Sequence, residues 1–396
     1  MNCDRPRGAV VLREDEMGNL PEFVAGAKSA VAIDTLPDIR TMDRANQAST
    51  VRFFHHHGEP ATDVLGVGVI GYGYWGPNVV RNFQSQAHSR VLMVCDSRRE
   101  ALEKVARSYP EIEFLTDMRA MLRSPRIDVI AVVTPVWTHY ELAKAALENG
   151  KHVFVEKPFT QTSQQAEELI ALAARKHLKI MVDHTFLFTG AVRKIKQLVD
   201  ARELGTIYYY DTMRVNLGLF QHDVNVIWDL APHDLAIMDY LLASEPEAVV
   251  ATGQSHVNGV EDVAFITIYY PGKLIAHVNV NWLSPVKVRT TLLGGNKRML
   301  IWNDLESDEK IRIYDRGVNL TTREGVYDLL VSYRSGDMWA PQVENGEALA
   351  LEIAHFNRSI LDDFAPINDG LAGLRVVKIL EAANTSLAHR GMEVRI

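Results

Sequence analysis

"VGVIGYGYWGPNVV", residues 67–80, joins an apolar run to a glycine-rich turn and then to a segment opened by Pro77. The run 64–70 reads as a strand buried on both faces, and Pro77 suits the first turn of a helix, where its missing N–H is no loss. Between them Gly71, Gly73 and Gly76 follow the spacing G-x-G-x-x-G. In a strand–turn–helix setting the first glycine permits the tight turn, the second lets backbone approach a pyrophosphate, and the third lets helix and strand pack closely. The positive end of the helix then faces the phosphates. Asp96 stands 20 residues after Gly76, at the end of the next apolar run. A carboxylate there accepts hydrogen bonds from the adenosine ribose and repels a 2′-phosphate, so NAD is expected ahead of NADP. The predicted contacts are Gly71, Gly73, Tyr74, Trp75, Gly76, Asp96, Ser97 and Arg98; Arg98 and Arg99 are what would accommodate a phosphate. Cys95 reads as a core thiol.

Outward from this loop, apolar runs at 91–95, 129–133 and 153–155 alternate with helical segments beginning at Pro77, Arg99 and His139. That rhythm predicts an α/β fold whose parallel sheet is covered by helices on both faces, a doubly wound Rossmann domain over residues 62–186. Thr162 with Gln165 forms a capping box for one more helix, followed by a short strand at 180–182. Past 187 the pattern changes to a helix at 192–199, a strand at 207–215 and a short helix around 230–242. Strands at 249–257, 264–270, 274–283 and 286–293 follow, with turn signals at Pro271-Gly272 and Gly294-Gly295-Asn296. This predicts an antiparallel meander in an α+β domain over residues 187–396, closed by a helix at 374–387 that packs back on the first domain. Residues 276–282 alternate strictly, which leaves His277, Asn279 and Asn281 on a face that meets solvent or a second copy. Residues 1–61 form an irregular extension whose His55-His56-His57 tract is read as solvated; no metal site is assigned.

The chain of 396 residues carries 42 Lys+Arg against 50 Asp+Glu, a net charge of −8 without long runs of either sign. That balance argues against nucleic acid or an anionic membrane surface as a partner and for a small molecule. No stretch approaches the roughly 20 apolar residues that span a bilayer. The 2 cysteines, Cys3 and Cys95, are too few for a disulfide framework, so the reducing cytoplasm is the expected compartment.

A second motif lies where a buried strand stops: Val153-Phe154-Val155 gives way to Glu156-Lys157-Pro158. In a doubly wound sheet ligands bind outside the carboxyl ends of the strands, and Pro158 keeps Lys157 out of helical backbone angles at that edge. An ammonium there can hydrogen-bond a substrate hydroxyl and favour its alkoxide. The preceding strand end supplies Thr134-Pro135, and His139 at the next helix start is a candidate for shaping the nicotinamide pocket. Glu352 and His355 fall one helical turn apart; two lone ligands do not make a metal site, and packing or surface roles are expected.

Together the glycine loop, Asp96, Thr134-Pro135, Glu156-Lys157-Pro158 and the antiparallel second half resemble the Gfo/Idh/MocA family of nicotinamide-dependent sugar and cyclitol oxidoreductases, over residue 62 to the end. The resemblance implies an Asp-x-x-x-His pair in the second domain, matched here by Asp229 and His233. By carry-over from the inositol dehydrogenases it implies His233 as general base, Asp229 as its orienter and Lys157 as alkoxide stabiliser. A carboxylate beside the imidazole, opposed by Lys157, would leave His233 titrating near working pH. The stretch "RVNLGLFQHDVNVIWDLAPHD", residues 214–234, is most similar to the branch acting on nucleotide-linked hexoses, UDP-N-acetylglucosamine-type 3-dehydrogenases, which oxidise a C3 hydroxyl. It adds Arg214, Asn216 and Asn225 as expected sugar or phosphate contacts, beside Lys157 and His233. An inositol or pseudo-sugar dehydrogenase and a non-catalytic ligand sensor are the alternatives; retention of Lys157 and His233 argues against the sensor. Relatives of this kind associate as homodimers or homotetramers, which the resemblance implies here as well.

Overall fold

The computed structural model describes residues 64–218, 220–321 and 330–396. The extension 1–61, with its histidine tract and Cys3, lies outside them. The described residues belong to one compact unit, and among them no helix is long and apolar enough to cross a membrane.

The first half alternates as its apolar runs require: β1 (Leu65–Ile70), α1 (Gly76–Gln84), β2 (Ser89–Cys95), α2 (Arg99–Ser108), β3 (Glu113–Leu115), α3 (Arg119–Arg123), β4 (Val129–Val132), α4 (Val136–Glu148), β5 (His152–Val155), α5 (Ser163–Lys176) and β6 (Ile180–Val182). The six strands are parallel in the order β3-β2-β1-β4-β5-β6. All of β1 and β4 are buried, as strands covered on both faces should be. The order reverses between β1 and β4, which opens a crevice at their carboxyl ends. Thr162 caps α5 by accepting the Gln165 N–H at 3.2 Å, as the capping box predicts.

A 3₁₀ turn (Thr185–Phe188) and α6 (Gly190–Asp200) lead into β7 (Ile207–Leu217), α7 (Val226–Leu242), β8 (Ala248–Gln254), β9 (Val263–Tyr269), β10 (Ile275–Asn281), β11 (Leu283–Gly295), β12 (Met299–Asn303), β13 (Ile311–Thr321) and β14 (Leu330–Trp339). The chain then forms α8 (Ala348–Leu361), α9 (Gly370–Ala388) and β15 (Val394–Arg395). The second sheet runs β14-β13-β12-β11-β7-β10-β9-β8-β15. It is antiparallel except where β7 lies parallel to β10. The expected meander is therefore interrupted, because β7 inserts between β10 and β11. It is paired along both edges, with Asp211 opposite His277 on one side and Thr212 opposite Thr291 on the other. Turn residues report hairpins and carry no signal for such a distant pairing.

α7 also begins earlier than its apolar spacing suggested. Asn225 caps it, its side-chain oxygen accepting the Trp228 N–H at 3.2 Å. At the other end of the chain α9 lies close on the first sheet, because a Cβ on Gly373 would stand 2.7 Å from Val182 Cγ2 and 3.1 Å from Phe159. Arg375 on α9 grips Asp239 on α7 through two 2.8 Å bonds, so the closing helix ties both sheets.

Three acids meet beneath the crevice. Glu156 follows β5, Asp183 follows β6, and Glu352 projects from α8; all are buried. Glu352 accepts from Thr185 Oγ1 and Asn368 Nδ2, each at 2.6 Å. Among the described residues Glu156 Oε1 and Asp183 Oδ2 lack a donor. Carboxylates donate nothing when ionised, and a proton held within the cluster lets one carboxyl donate to another. Burial, reinforced by the charge of Asp183, raises Glu156 and Glu352 well above the usual carboxylate range, and burial raises Asp183 too. Such acids bind protons more tightly folded than unfolded. The stability they provide is full below the ordinary value near 4.5 and is lost as pH climbs through the raised folded values. Glu352→Gln removes one titration while keeping the shape. The drop in melting temperature between about pH 6 and about pH 9 should be smaller in the variant than in the parent by calorimetry; parallel curves would contradict the shared-proton cluster.

Candidate active site

The carboxyl ends of β1, β2, β4 and β5 surround a cleft of about 820 Å³. Its glycine loop is tight at both ends and open in the middle. Gly71 has φ 98°, and a Cβ there would stand 2.1 Å from the Val133 carbonyl oxygen; one on Gly76 would stand 2.7 Å from that of Gly71. A Cβ on Gly73 would approach only Arg98 Nη2, at 3.8 Å, so this span leaves backbone open to a ligand. Tyr74 and Trp75 stack at 6.1 Å along the rim. Ser97, Thr134 and Pro135 also line the cleft, with Glu156 and Lys157 at its inner end. A pyrophosphate fits this cradle.

Asp96 sits at the end of β2 as the spacing requires. Its carboxylate accepts the Tyr72 N–H at 2.7 Å and the Arg98 N–H at 2.8 Å, and the Arg98 guanidinium folds over it with two 3.1 Å bonds. Burial pushes the carboxyl up, but these bonds outweigh it and hold Asp96 below its usual range. Beside it Cys95 is a buried thiol pushed up to about 11, chiefly by burial. The cleft also uses Thr116, Asp117, Met118 and Arg119, which the sequence reading passed over. They follow β3, whose three residues are too short to show a period. His139 is corrected: it does not line the cleft but lies fully buried, with Nδ1 2.9 Å from the Pro158 carbonyl and Nε2 2.7 Å from that of Thr134. It ties the ends of β4 and β5 together.

At the inner end, side chains from the two sheets converge. Lys157 Nζ donates to the Asp229 backbone carbonyl at 2.8 Å and stands 3.8 Å from its carboxylate. Asp229 Oδ2 in turn accepts from the Trp282 indole N–H at 3.0 Å. The spacing of Asp229 and His233 is as expected, but the pairing is not. The carboxylate is drawn to the ammonium and the indole, and His233 Nδ1 is buried with no hydrogen-bond partner among the described residues. The His233 ring instead rests on Phe186, centroids 4.9 Å apart. Burial, then Lys157, Arg214, His184 and Arg289, push His233 well below its ordinary value. Burial first, and then the positive charges of Lys157, Arg214 and Arg289, favour the neutral imidazole over one that titrates near its ordinary value.

Two of the expected substrate contacts are corrected. Arg214 is buried and bonds Asp234 in a fork, Nε at 2.7 Å and Nη2 at 3.0 Å, while its guanidinium lies 4.6 Å over Phe186. Burial next to a carboxylate consumes the charge that was expected to meet a phosphate. Asn225 is likewise committed as the cap of α7, and its amide donates to Glu261 and Asn384 at 3.1 Å each. Asn216 remains available. It is half-buried two residues beyond Arg214 on the same face of β7, and a Cβ at Gly218 would touch both its amide and Trp282, the indole that holds Asp229.

A sequence profile of an oxidoreductase family with an NAD-binding Rossmann fold matches residues 65–184, and one of the GFO/IDH/MocA C-terminal domain matches residues 192–300. UDP-N-acetylglucosamine 3-dehydrogenase from Acidithiobacillus ferrooxidans is 27% identical over 78% of this chain and 93% of its own. Its solved structure superposes with a TM-score of 0.69 over 82% of this chain and 98% of that one at 25% identity. The NAD-dependent scyllo-inositol 2-dehydrogenase of Bacillus subtilis is 25% identical over 84% of this chain and 95% of its own. GenD2 from gentamicin A biosynthesis, solved in complex with NAD, shares the fold at TM-score 0.72 and 20% identity over 87% of this chain and 99% of that one. With the glycine cradle and the strand-end lysine in place, the chain belongs to the Gfo/Idh/MocA family of NAD(P)-dependent oxidoreductases that act on hydroxyl groups of sugars and polyols.

Proposed function

We propose that this protein uses NAD to oxidise a secondary hydroxyl of a pyranose, the C3 hydroxyl of a nucleotide-activated amino sugar, to the ketone. The observation that carries the reading is the bond between Lys157 of the first sheet and the Asp229 turn of α7. It brings an ammonium and the helix bearing His233 to the inner end of the dinucleotide cleft. The choice of substrate is supported by the likeness to the UDP-N-acetylglucosamine 3-dehydrogenase.

NAD supplies a hydride acceptor at its nicotinamide. This chain's residues do the rest. Asp229 holds the Lys157 ammonium in place, and that ammonium hydrogen-bonds the reacting oxygen and stabilises it as negative charge builds. His233, neutral and unpartnered at Nδ1, takes the hydroxyl proton as the C–H electron pair departs and the C=O bond forms. His233→Ala and Lys157→Ala should each lower kcat by about 10²- to 10⁴-fold, measured at 340 nm, with NADH affinity unchanged in His233→Ala. Because the imidazole is held low, protonation removes the base only below its ordinary value of 6.5, and the acid limb of kcat/KM should lie beneath that pH. The substrates to try are UDP-N-acetylglucosamine, its uronate, scyllo-inositol and myo-inositol. A wild type that binds NADH but oxidises none of them would overturn the reading.

Choice of NAD rests on Asp96, whose carboxylate already anchors Tyr72 and Arg98. Asp96→Ser removes the ribose acceptor and frees Arg98 for a 2′-phosphate. The ratio of kcat/KM for NAD over NADP should fall by about 10- to 100-fold; an unchanged ratio would move the choice elsewhere. The open face of the second sheet, with Met213, Phe265 and Tyr269 at 39%, 41% and 39% exposure around His277, is proposed as the self-association surface. Phe265→Glu should convert the oligomer to a monomer by light scattering, and a wild type that is itself a monomer would contradict this.

A further inference from the structure

The turn leaving β6 carries a side chain that neither the fold nor the chemistry above accounts for. His184 is 2% exposed, and among the described residues neither of its ring nitrogens has a hydrogen-bond partner. Buried polar groups are almost always paired, and an imidazole can pair by donating at one nitrogen and accepting at the other. An apolar ring would fill this space without that penalty, so the fold by itself gives no reason for a histidine.

Its position supplies one. β5 and β6 run in parallel with Val155 opposite Val182. The two strand ends therefore deliver Lys157 and His184 side by side, each two residues beyond the paired valines. Lys157 is close enough to act on His184, which burial first and then that ammonium push down to about 3. His184 likewise acts on His233. Two residues on, Phe186 lays its ring against that of His233 and beneath Arg214. An ammonium and two imidazoles thus gather where the strand ends meet α7, and of the two imidazoles only His233 has a task.

We propose that His184 is a substrate-binding residue, whose ring nitrogens hydrogen-bond a hydroxyl adjacent to the carbinol held by Lys157 and His233. The ligand class is a ring bearing vicinal hydroxyls, for which an imidazole offers both a donor and an acceptor. This rests on the dehydrogenase reading above and names which of its contacts select the polyol. A substrate lacking the adjacent hydroxyl would leave the imidazole buried and unpaired, so the contact discriminates more sharply than an apolar wall.

The test replaces the imidazole with two apolar shapes, His184→Leu and His184→Phe, in the full-length protein. Melting temperature, NADH affinity, and KM and kcat are measured, with UDP-N-acetylglucosamine and scyllo-inositol as probes. Removing two orphaned nitrogens should leave the melting temperature unchanged or higher in at least one variant, with NADH affinity unchanged. KM for the probe turned over should rise at least about tenfold, with kcat changing less. A KM within about twofold of wild type in a folded variant would overturn the proposal, as would two variants that both melt lower or fail to fold. If the wild type turns over neither probe, the dehydrogenase reading fails on its own terms and melting alone judges His184. A stable or stabilised variant keeps it as a ligand contact, and a destabilised pair makes it a packing residue.

Discussion

The contact on which the rest depends is between Lys157 Nζ and Asp229, 2.8 Å to the carbonyl and 3.8 Å to the carboxylate. One partner stands at the end of a parallel strand, the other in the first turn of a helix 72 residues later. An ammonium at a crevice edge is otherwise free to sample solvent. Held between a carbonyl and a carboxylate in a partly buried site, it has a fixed direction. The same contact clamps α7 to the first sheet, and α7 carries His233. The ammonium and the imidazole proposed as charge stabiliser and base are thereby positioned by one joint.

Around that joint several polar groups are held by partners within the chain. Arg214 with Asp234, and Asn225 with its three partners, are fully engaged and hold the walls. The cluster of Glu156, Asp183 and Glu352 fixes the floor beneath Lys157 and joins α8 to the strand ends. The nitrogens of His184 and Nδ1 of His233 are buried and unpaired among the described residues. Those nitrogens are the groups proposed to gain a substrate bond.

Much of this was legible in the residues because it is local. The strand, glycine turn and helix are contiguous, and Asp96 and Lys157 are placed by where apolar runs stop. The misreadings share a cause. Asp229 and His233 have the spacing of a pair, yet the carboxylate goes to Trp282 and Lys157, both distant in the chain. Arg214 and Asn225 have the chemistry of ligand contacts, but Asp234, Glu261 and Asn384 claim them first. The insertion of β7 between β10 and β11 and the meeting of Glu156 with Glu352 are long-range pairings that period and propensity do not encode. His184 could have been found, since the rule that singled out Glu156-Lys157 at the end of β5 applies equally to Asp183-His184 at the end of β6.

The most direct test of the central claim is a crystal structure of the complex with NADH. The nicotinamide should lie at the inner end of the cleft, with its C4 facing a space bounded by Lys157 Nζ on one side and the His233 imidazole on the other. A nicotinamide bound away from Lys157, or an ammonium turned out of the cleft with the His233 imidazole facing away from the nicotinamide, would contradict that claim.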